Sequence, residues 1–170
     1  MTPEAVLEFL GLMEAESIDL CLDGGWGIDA LLGEQTREHA DLDVILRIED
    51  LPRLVAAARA SGFVRQPDGT ETNFVLKSTS GHAVDVHAIA FDERGFGVFA
   101  LPDGRKWPFP PSAFQGRGSI RGKGVRCLSP EAQVQCHGQG YEPDENDLRD
   151  MKLLQDRFGV VLPLALCRQQ

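Results

Sequence analysis

The sequence predicts an α/β (α+β) fold, a small mixed β-sheet with helices packed on it and a short C-terminal helical part. Three observations carry this. Strand-type alternation and helix-type spacing of apolar residues trade places between Ile18 and Ala90. Glycines stand at the joints, at Gly24-Gly25, Gly33 and Gly62. After Ser129 only helical spacing remains. At 170 residues the chain suits one compact unit. Within it, residues 1–128 are expected to form the α/β part and 129–170 the helical part.

Val6, Phe9, Leu10 and Met13 fall at three- and four-residue spacings, so Pro3 to Glu16 reads as a core-facing helix with Thr2 as its N-cap. Ile18 to Leu22 reads as a strand stopped by Gly24-Gly25, and Trp26 to Leu32 as a helix ended by Gly33. The Trp26 ring is expected in the core. Asp41 to Leu46 is the next strand, followed by a helix from Leu51 to Ala60. Strands at Phe63 to Gln66, Thr72 to Lys77 and Ala83 to Ala90 come next, separated by turns at Pro67-Asp68-Gly69 and Ser78 to Gly81. Between Asp92 and Arg126 glycine and proline dominate, and only Gly97 to Leu101 and Gly124 to Leu128 read as strands. Ser129-Pro130-Glu131 opens a helix, and Pro143 to Phe158 forms the last one.

The net charge of −9 argues against a nucleic-acid partner, whose phosphates the acidic surface would repel. Only the stretch from Arg105 to Arg126 is locally basic, which fits a solvated hairpin or a contact with a phosphate-bearing small molecule. Cys21, Cys127, Cys136 and Cys167 show no metal-ligand spacing and no disulfide framework. The N-terminus lacks a basic leader and no apolar run reaches membrane-spanning length, so a cytoplasmic protein without membrane contact is expected.

The stretch from Asp23 to Leu46 carries the chemistry. Gly24 and Gly25 at a strand-to-helix joint allow a phosphate to approach backbone N–H groups at a helix N-terminus, although such a pair also serves plain turn geometry. Asp41 and Asp43, two apart on a strand, project to one face, where, unless the strand end is exposed and water solvates both, their mutual repulsion calls for a cation such as Mg²⁺. Asp85 and His87 share a face of a further strand, and Asp85 offers a third carboxylate as metal ligand or proton acceptor.

The segment G-G-W-G-I-D-A-L-L-G-x-x-T-R-x-H-x-D-L-D resembles the signature of the lincosamide and aminoglycoside 2''-nucleotidyltransferases, members of the polymerase-beta-like nucleotidyltransferase superfamily. The V-D-V-H strand, V-R-C-L-S-P-E-A and G-Y-E-P-D-E-N-D-L-R-D-M-K-L-L extend the resemblance over most of the chain. It implies a nucleotidyltransferase fold and transfer of a nucleoside monophosphate from a nucleoside triphosphate to a hydroxyl of a small molecule, an antibiotic. By the same resemblance Asp41, Asp43 and Asp85 are the catalytic, Mg²⁺-binding acids, and Gly24, Gly25, Thr36, Arg37 and His39 contact the nucleotide. Arg37 is equally open to pairing with a nearby acid to hold its loop. Gln135, Tyr141 and Asp147 are candidates for the acceptor side, and a homodimer is implied by resemblance alone. A non-antibiotic metabolite as acceptor and a silent or toxin-antitoxin-type module remain the alternatives, the latter disfavoured by the presence of all three acids. A histidine metal site from His82, His87 and His137 is disfavoured because no pair shows ligand spacing.

Overall fold

The structure, a computed structural model, describes residues 1–100, 106–138 and 142–166. Arg105, Tyr141 and Cys167, singled out above, lie outside the described residues. Helix α1 (Pro3–Ala15) starts as its sequence dictates, with the Thr2 hydroxyl accepting from the Ala5 N–H and proline in the first turn. Strand β1 (Cys21–Leu22) leads into α2 (Gly24–Leu32), which Gly33 closes in the left-handed conformation. Strand β2 (Asp41–Arg47), helix α3 (Leu51–Ala60) and strands β3 (Phe63–Gly69), β4 (Asn73–Ser78) and β5 (Ala83–Phe91) follow. Then come β6 (Gly97–Ala100), β7 (Lys106–Phe109), β8 (Gly116–Ile120) and β9 (Lys123–Cys127), and finally α4 (Pro130–His137) and α5 (Glu145–Phe158).

Seven strands lie side by side in the order β3-β4-β5-β2-β1-β9-β8, and β6 and β7 extend from the end of β5. The sheet is mixed: β2 runs parallel to β5 and β1 parallel to β9, while β1 and β2 are antiparallel. Helices α1, α2 and α3 bury Phe9, Met13, Trp26 and Leu54 against Leu42, Val44, Val84 and Val86 of the central strands. A second cluster of Ile45, Ile89, Phe109, Phe114 and Leu128 covers part of the opposite face. Helices α4 and α5 join through a third cluster, in which Val134, Met151 and Leu154 meet Ile28 of α2.

Several boundaries differ from the sequence reading. The first strand is only Cys21–Leu22, although Ile18 and Leu20 are buried as a strand there would require. Helix α2 begins at Gly24 rather than Trp26, so the glycine pair is its first turn and not a turn before it. Pro67, Asp68 and Gly69 belong to β3, whose register slips between Arg65 and Gly69, a bulge that accommodates the proline. Strands β7 and β8 were not anticipated.

Candidate active site

Alternation along β2 leaves Leu42 and Val44 with no exposed surface and turns Asp41 and Asp43 to the other face. The parallel register places Asp43 opposite Asp85 and Ile45 opposite His87. Donor atoms of Asp43, Asp85 and His87 therefore fall within 4.8 Å of one another. The His87 Nε2 stands 3.9 Å from an Asp43 oxygen and 3.8 Å from an Asp85 oxygen. Asp41 sits two pairs nearer the start of β2, opposite Ala83.

The N-terminus of α2 rests directly on this acidic face. Asp23 caps the helix by accepting from the Gly24 N–H at 2.8 Å, and its own N–H donates to the Asp43 carbonyl at 3.1 Å. Gly24 has φ +58°, and a Cβ there would strike the Asp43 carboxylate. A Cβ on Gly25 would strike the His39 ring and the Arg37 guanidinium. Both glycines thus serve close approach: of the helix start to Asp43, and of the loop before β2 to the helix.

That loop is fastened by two acids. Asp29 of α2, 2% exposed, accepts from the Thr36 N–H at 3.1 Å and its hydroxyl at 2.7 Å, and its other oxygen binds His39 Nε2. The His39 ring also packs on Trp26, with centroids 4.8 Å apart. Asp150 of α5, 1% exposed, receives Nε and Nη2 of Arg37 at 3.0 and 2.8 Å. Arg149 adds a bond to the Thr36 carbonyl. Arg37, His39, Gly24 and Gly25 line one cavity of about 260 Å³ with Asp23, Asp41 and Asp43. Cys136 and His137 of α4 form its far wall. Asp85 and His87 continue the same sheet face beyond it. A larger cavity of about 390 Å³ lies away from these acids, between the end of α1 and β9.

Burial and the neighbouring Asp43 hold the carboxyls of Asp23 and Asp41 above the usual aspartate range. Burial also raises Asp85; His87 opposes this, while Asp43 and Asp41 add to it. For His87 burial favours the neutral ring, but Asp43, Asp85 and Asp23 outweigh it and the imidazole is raised. Asp43, Asp85 and His87 are close enough to make a place for a cation, and the carboxylates on this face, Asp41 among them, are the oxygen donors that Mg²⁺ takes.

Of the residues nominated on the sequence, Asp41, Asp43, Gly24, Gly25, Arg37 and His39 line one cavity and Asp85 joins them through its partner Asp43, whereas the Thr36 hydroxyl is turned onto Asp29. Asp147 binds His137 Nδ1 at 2.8 Å and closes the α5 capping box with Asp144. Asp23, Asp29 and Asp150 were missed; the one signal for Asp23 was its place immediately before the glycine pair. The basic hairpin β8–β9 makes no wall of the cavity, for Arg121 pairs with Glu4, Lys123 with Glu14 and Arg126 with Asp19.

Against known proteins, the model of the aminoglycoside-2''-adenylyltransferase family matches residues 5–154. A lincosamide resistance protein of Staphylococcus haemolyticus is 29% identical over 154 residues, covering 91% of this chain and 94% of that protein. The crystal structure of the lincosamide antibiotic adenylyltransferase LnuA with lincomycin bound superimposes with a TM-score of 0.81 at 28% identity, over 91% of this chain and 97% of that one. ANT(2")-Ia in complex with adenylyl-2"-tobramycin shares the fold, with a TM-score of 0.73 at 20% identity over 91% and 87% of the two chains.

Proposed function

The chain belongs to the aminoglycoside-2''-adenylyltransferase family, and we propose that it moves a nucleoside monophosphate from a nucleoside triphosphate onto a hydroxyl of an antibiotic. The observation that carries this reading is the register that sets Asp43 opposite Asp85, with Asp41 on the same face and the N-terminus of α2 against Asp43.

Asp41, Asp43 and Asp85 would hold Mg²⁺, which when bound supplies positive charge to the triphosphate. Past the Gly24 N–H, which Asp23 caps, backbone N–H groups at the start of α2 present the partial positive end of the helix to phosphate oxygens. Arg37, held by Asp150, adds a fixed cation at the cavity wall. His39 and Thr36, both tied to Asp29, fix the loop that carries it. Asp85 takes the proton of the acceptor hydroxyl as that oxygen bonds to the α-phosphorus. The bond from the α-phosphorus to the bridging oxygen breaks, and pyrophosphate leaves.

A lincosamide is favoured over an aminoglycoside as acceptor by one local observation. Phe99 and Trp107 are cross-strand partners on β6 and β7, half-buried, and the Phe99 ring lies 5.4 Å from that of His87. An apolar wall beside the reacting face suits an amphipathic cation better than a polyhydroxylated one. The division at residue 128 into a catalytic part and a helical part belongs to the same reading, as do a cytoplasmic location and a homodimer. Among the described residues no helix is long and apolar enough to cross a membrane.

The test is pyrophosphate release from ATP and GTP with Mg²⁺ against a panel of lincosamides and aminoglycosides. Release should depend on one acceptor class and fall by at least about a hundredfold in Asp43→Ala. Turnover unchanged in that variant would sink the assignment of the acids. Nucleotide binding without turnover on any antibiotic would move the acceptor outside the panel.

A further inference from the structure

We infer that His87 is a nitrogen ligand to a divalent ion held between Asp43 and Asp85, and that this inner position prefers Mn²⁺ to Mg²⁺. The inference rests on the metal-dependent reading above and adds a ligand and an ion preference to it.

Strand geometry fixes the neighbourhood. Asp43 and Asp85 are register partners on parallel strands, and His87 lies two residues beyond Asp85, hence on the same face. Its Nε2 is 3.9 Å from one Asp43 oxygen and 3.8 Å from one Asp85 oxygen. Both separations exceed the hydrogen-bonding range of about 2.7 to 3.2 Å, so the ring bonds neither carboxylate directly. They lie between the separations that adjacent and opposed donors around one ion would have, so a small ring movement would bring Nε2 onto an ion shared with the two carboxylates. Ligands each about 2.1 Å from a common metal stand about 3 Å apart at right angles and about 4.2 Å apart when opposed.

The ring is also held in place. It packs on Phe99 at 5.4 Å between centroids, and its Nδ1 is buried without a hydrogen-bond partner. The polar work open to this imidazole is therefore on the side that faces the two carboxylates. Asp41 is not among the three clustered donors. The acidic strip accordingly has two unlike ends: carboxylate oxygens alone at Asp41 and Asp43, and oxygen with nitrogen at Asp43, Asp85 and His87.

Donor type decides which ion each end prefers. Mg²⁺ takes oxygen ligands and gives up its water reluctantly, whereas imidazole suits first-row transition ions. The outer end fits Mg²⁺ carried in with a triphosphate. The inner end fits Mn²⁺, which accepts both carboxylate and imidazole.

The experiment loads the purified full chain with Mn²⁺, without nucleotide, and records pulsed electron paramagnetic resonance on natural-abundance and ¹⁵N-histidine-labelled protein. Bound Mn²⁺ should show a nitrogen coupling that changes from ¹⁴N to ¹⁵N with the label and disappears in His87→Gln, or in His87→Asn should the first variant not fold. Titration should show Mn²⁺ affinity falling about tenfold in the variant and Mg²⁺ affinity by less than about twofold. Bound Mn²⁺ with no histidine coupling in the unaltered protein overturns the inference and leaves the acid site standing. So does a coupling that survives in the variant, or equal weakening of both ions. Failure of Mn²⁺ to bind at all overturns the inference together with the metal-dependent reading.

Discussion

Asp23, Asp41 and Asp85 share one condition: burial and the charge of Asp43 make each lose its proton less readily than an ordinary aspartate, whose value is 3.8. A carboxyl raised by folding binds its proton more tightly in the native state. Its stabilising contribution is complete below 3.8 and is lost as the pH rises through the folded value. The metal-free protein therefore gives up stability from these three groups between acid and neutral pH. On the proposed reading Mg²⁺ reverses this, since it would bind the carboxylates that repel each other. The rise in melting temperature produced by Mg²⁺ should be larger at about pH 7.5 than at about pH 4.5, and should shrink in Asp85→Asn. An equal rise at both values would mean that the acids do not hold the ion. The shared face of Asp41 and Asp43, and of Asp85 and His87, was legible because strand alternation fixes sides. The position of Asp23 was not, since it depends on a backbone bond from Asp23 to Asp43 across two strands. Asp29 was hidden for another reason: a mid-helix acid reads as solvent-facing until the loop that folds onto it is known.

The loop before β2 and helix α5 are coupled by an ion pair that spans most of the sequence, beside the Arg149 bond to the Thr36 carbonyl. Arg37 offers two N–H groups to one oxygen of Asp150, whose side chain is 2% exposed, while the other oxygen has no hydrogen-bond partner. Removing the acid strands a guanidinium that is itself only 22% exposed. Asp150→Ala should cost about 3 kcal/mol, read as a lower urea midpoint, and should weaken nucleotide binding by releasing Arg37. A change confined to stability would place Arg37 in a structural role alone. Pairing of Arg37 with an acid was one of two readings open on the sequence, but a partner 113 residues away carries no local signal. The helices were legible because Thr2, Ser129 and Pro130 mark their starts and Gly33 and Gly159 their ends. Strand β8 was not, for its run G-R-G-S-I looks like a loop. Its glycines are there for packing: a Cβ on Gly116 would meet the Cys127 and Leu128 carbonyls, and one on Gly118 the Ala30 carbonyl of α2. Strand β7, K-W-P-F, was masked by its proline, which an edge position tolerates.

At the scale of the whole molecule the field is acidic, with a net charge of −9, and the structure explains why the basic hairpin does little to offset it near the site. Arg121, Lys123 and Arg126 are each paired with an acid of α1 or of the segment before β1. On the proposed reading a triphosphate approaching the cavity thus meets its positive partners only at close range, at the α2 N-terminus and Arg37, whereas a cationic acceptor is drawn in from farther away. The two substrates should respond oppositely to salt. Raising ionic strength from about 50 to about 500 mM shortens the screening length from roughly 14 to roughly 4 Å, so the KM of a cationic acceptor should rise about three- to tenfold. The KM of the nucleotide at saturating Mg²⁺ should hold steady or fall, because the same salt weakens its repulsion by the acidic surface. Steady-state kinetics over that range, with an acceptor analogue whose amine is acylated as the uncharged control, separates long-range attraction from contact. If the charged and acylated acceptors show the same salt dependence, the surface acids do not steer the acceptor, and its recognition lies in short-range packing such as that against Phe99 and Trp107.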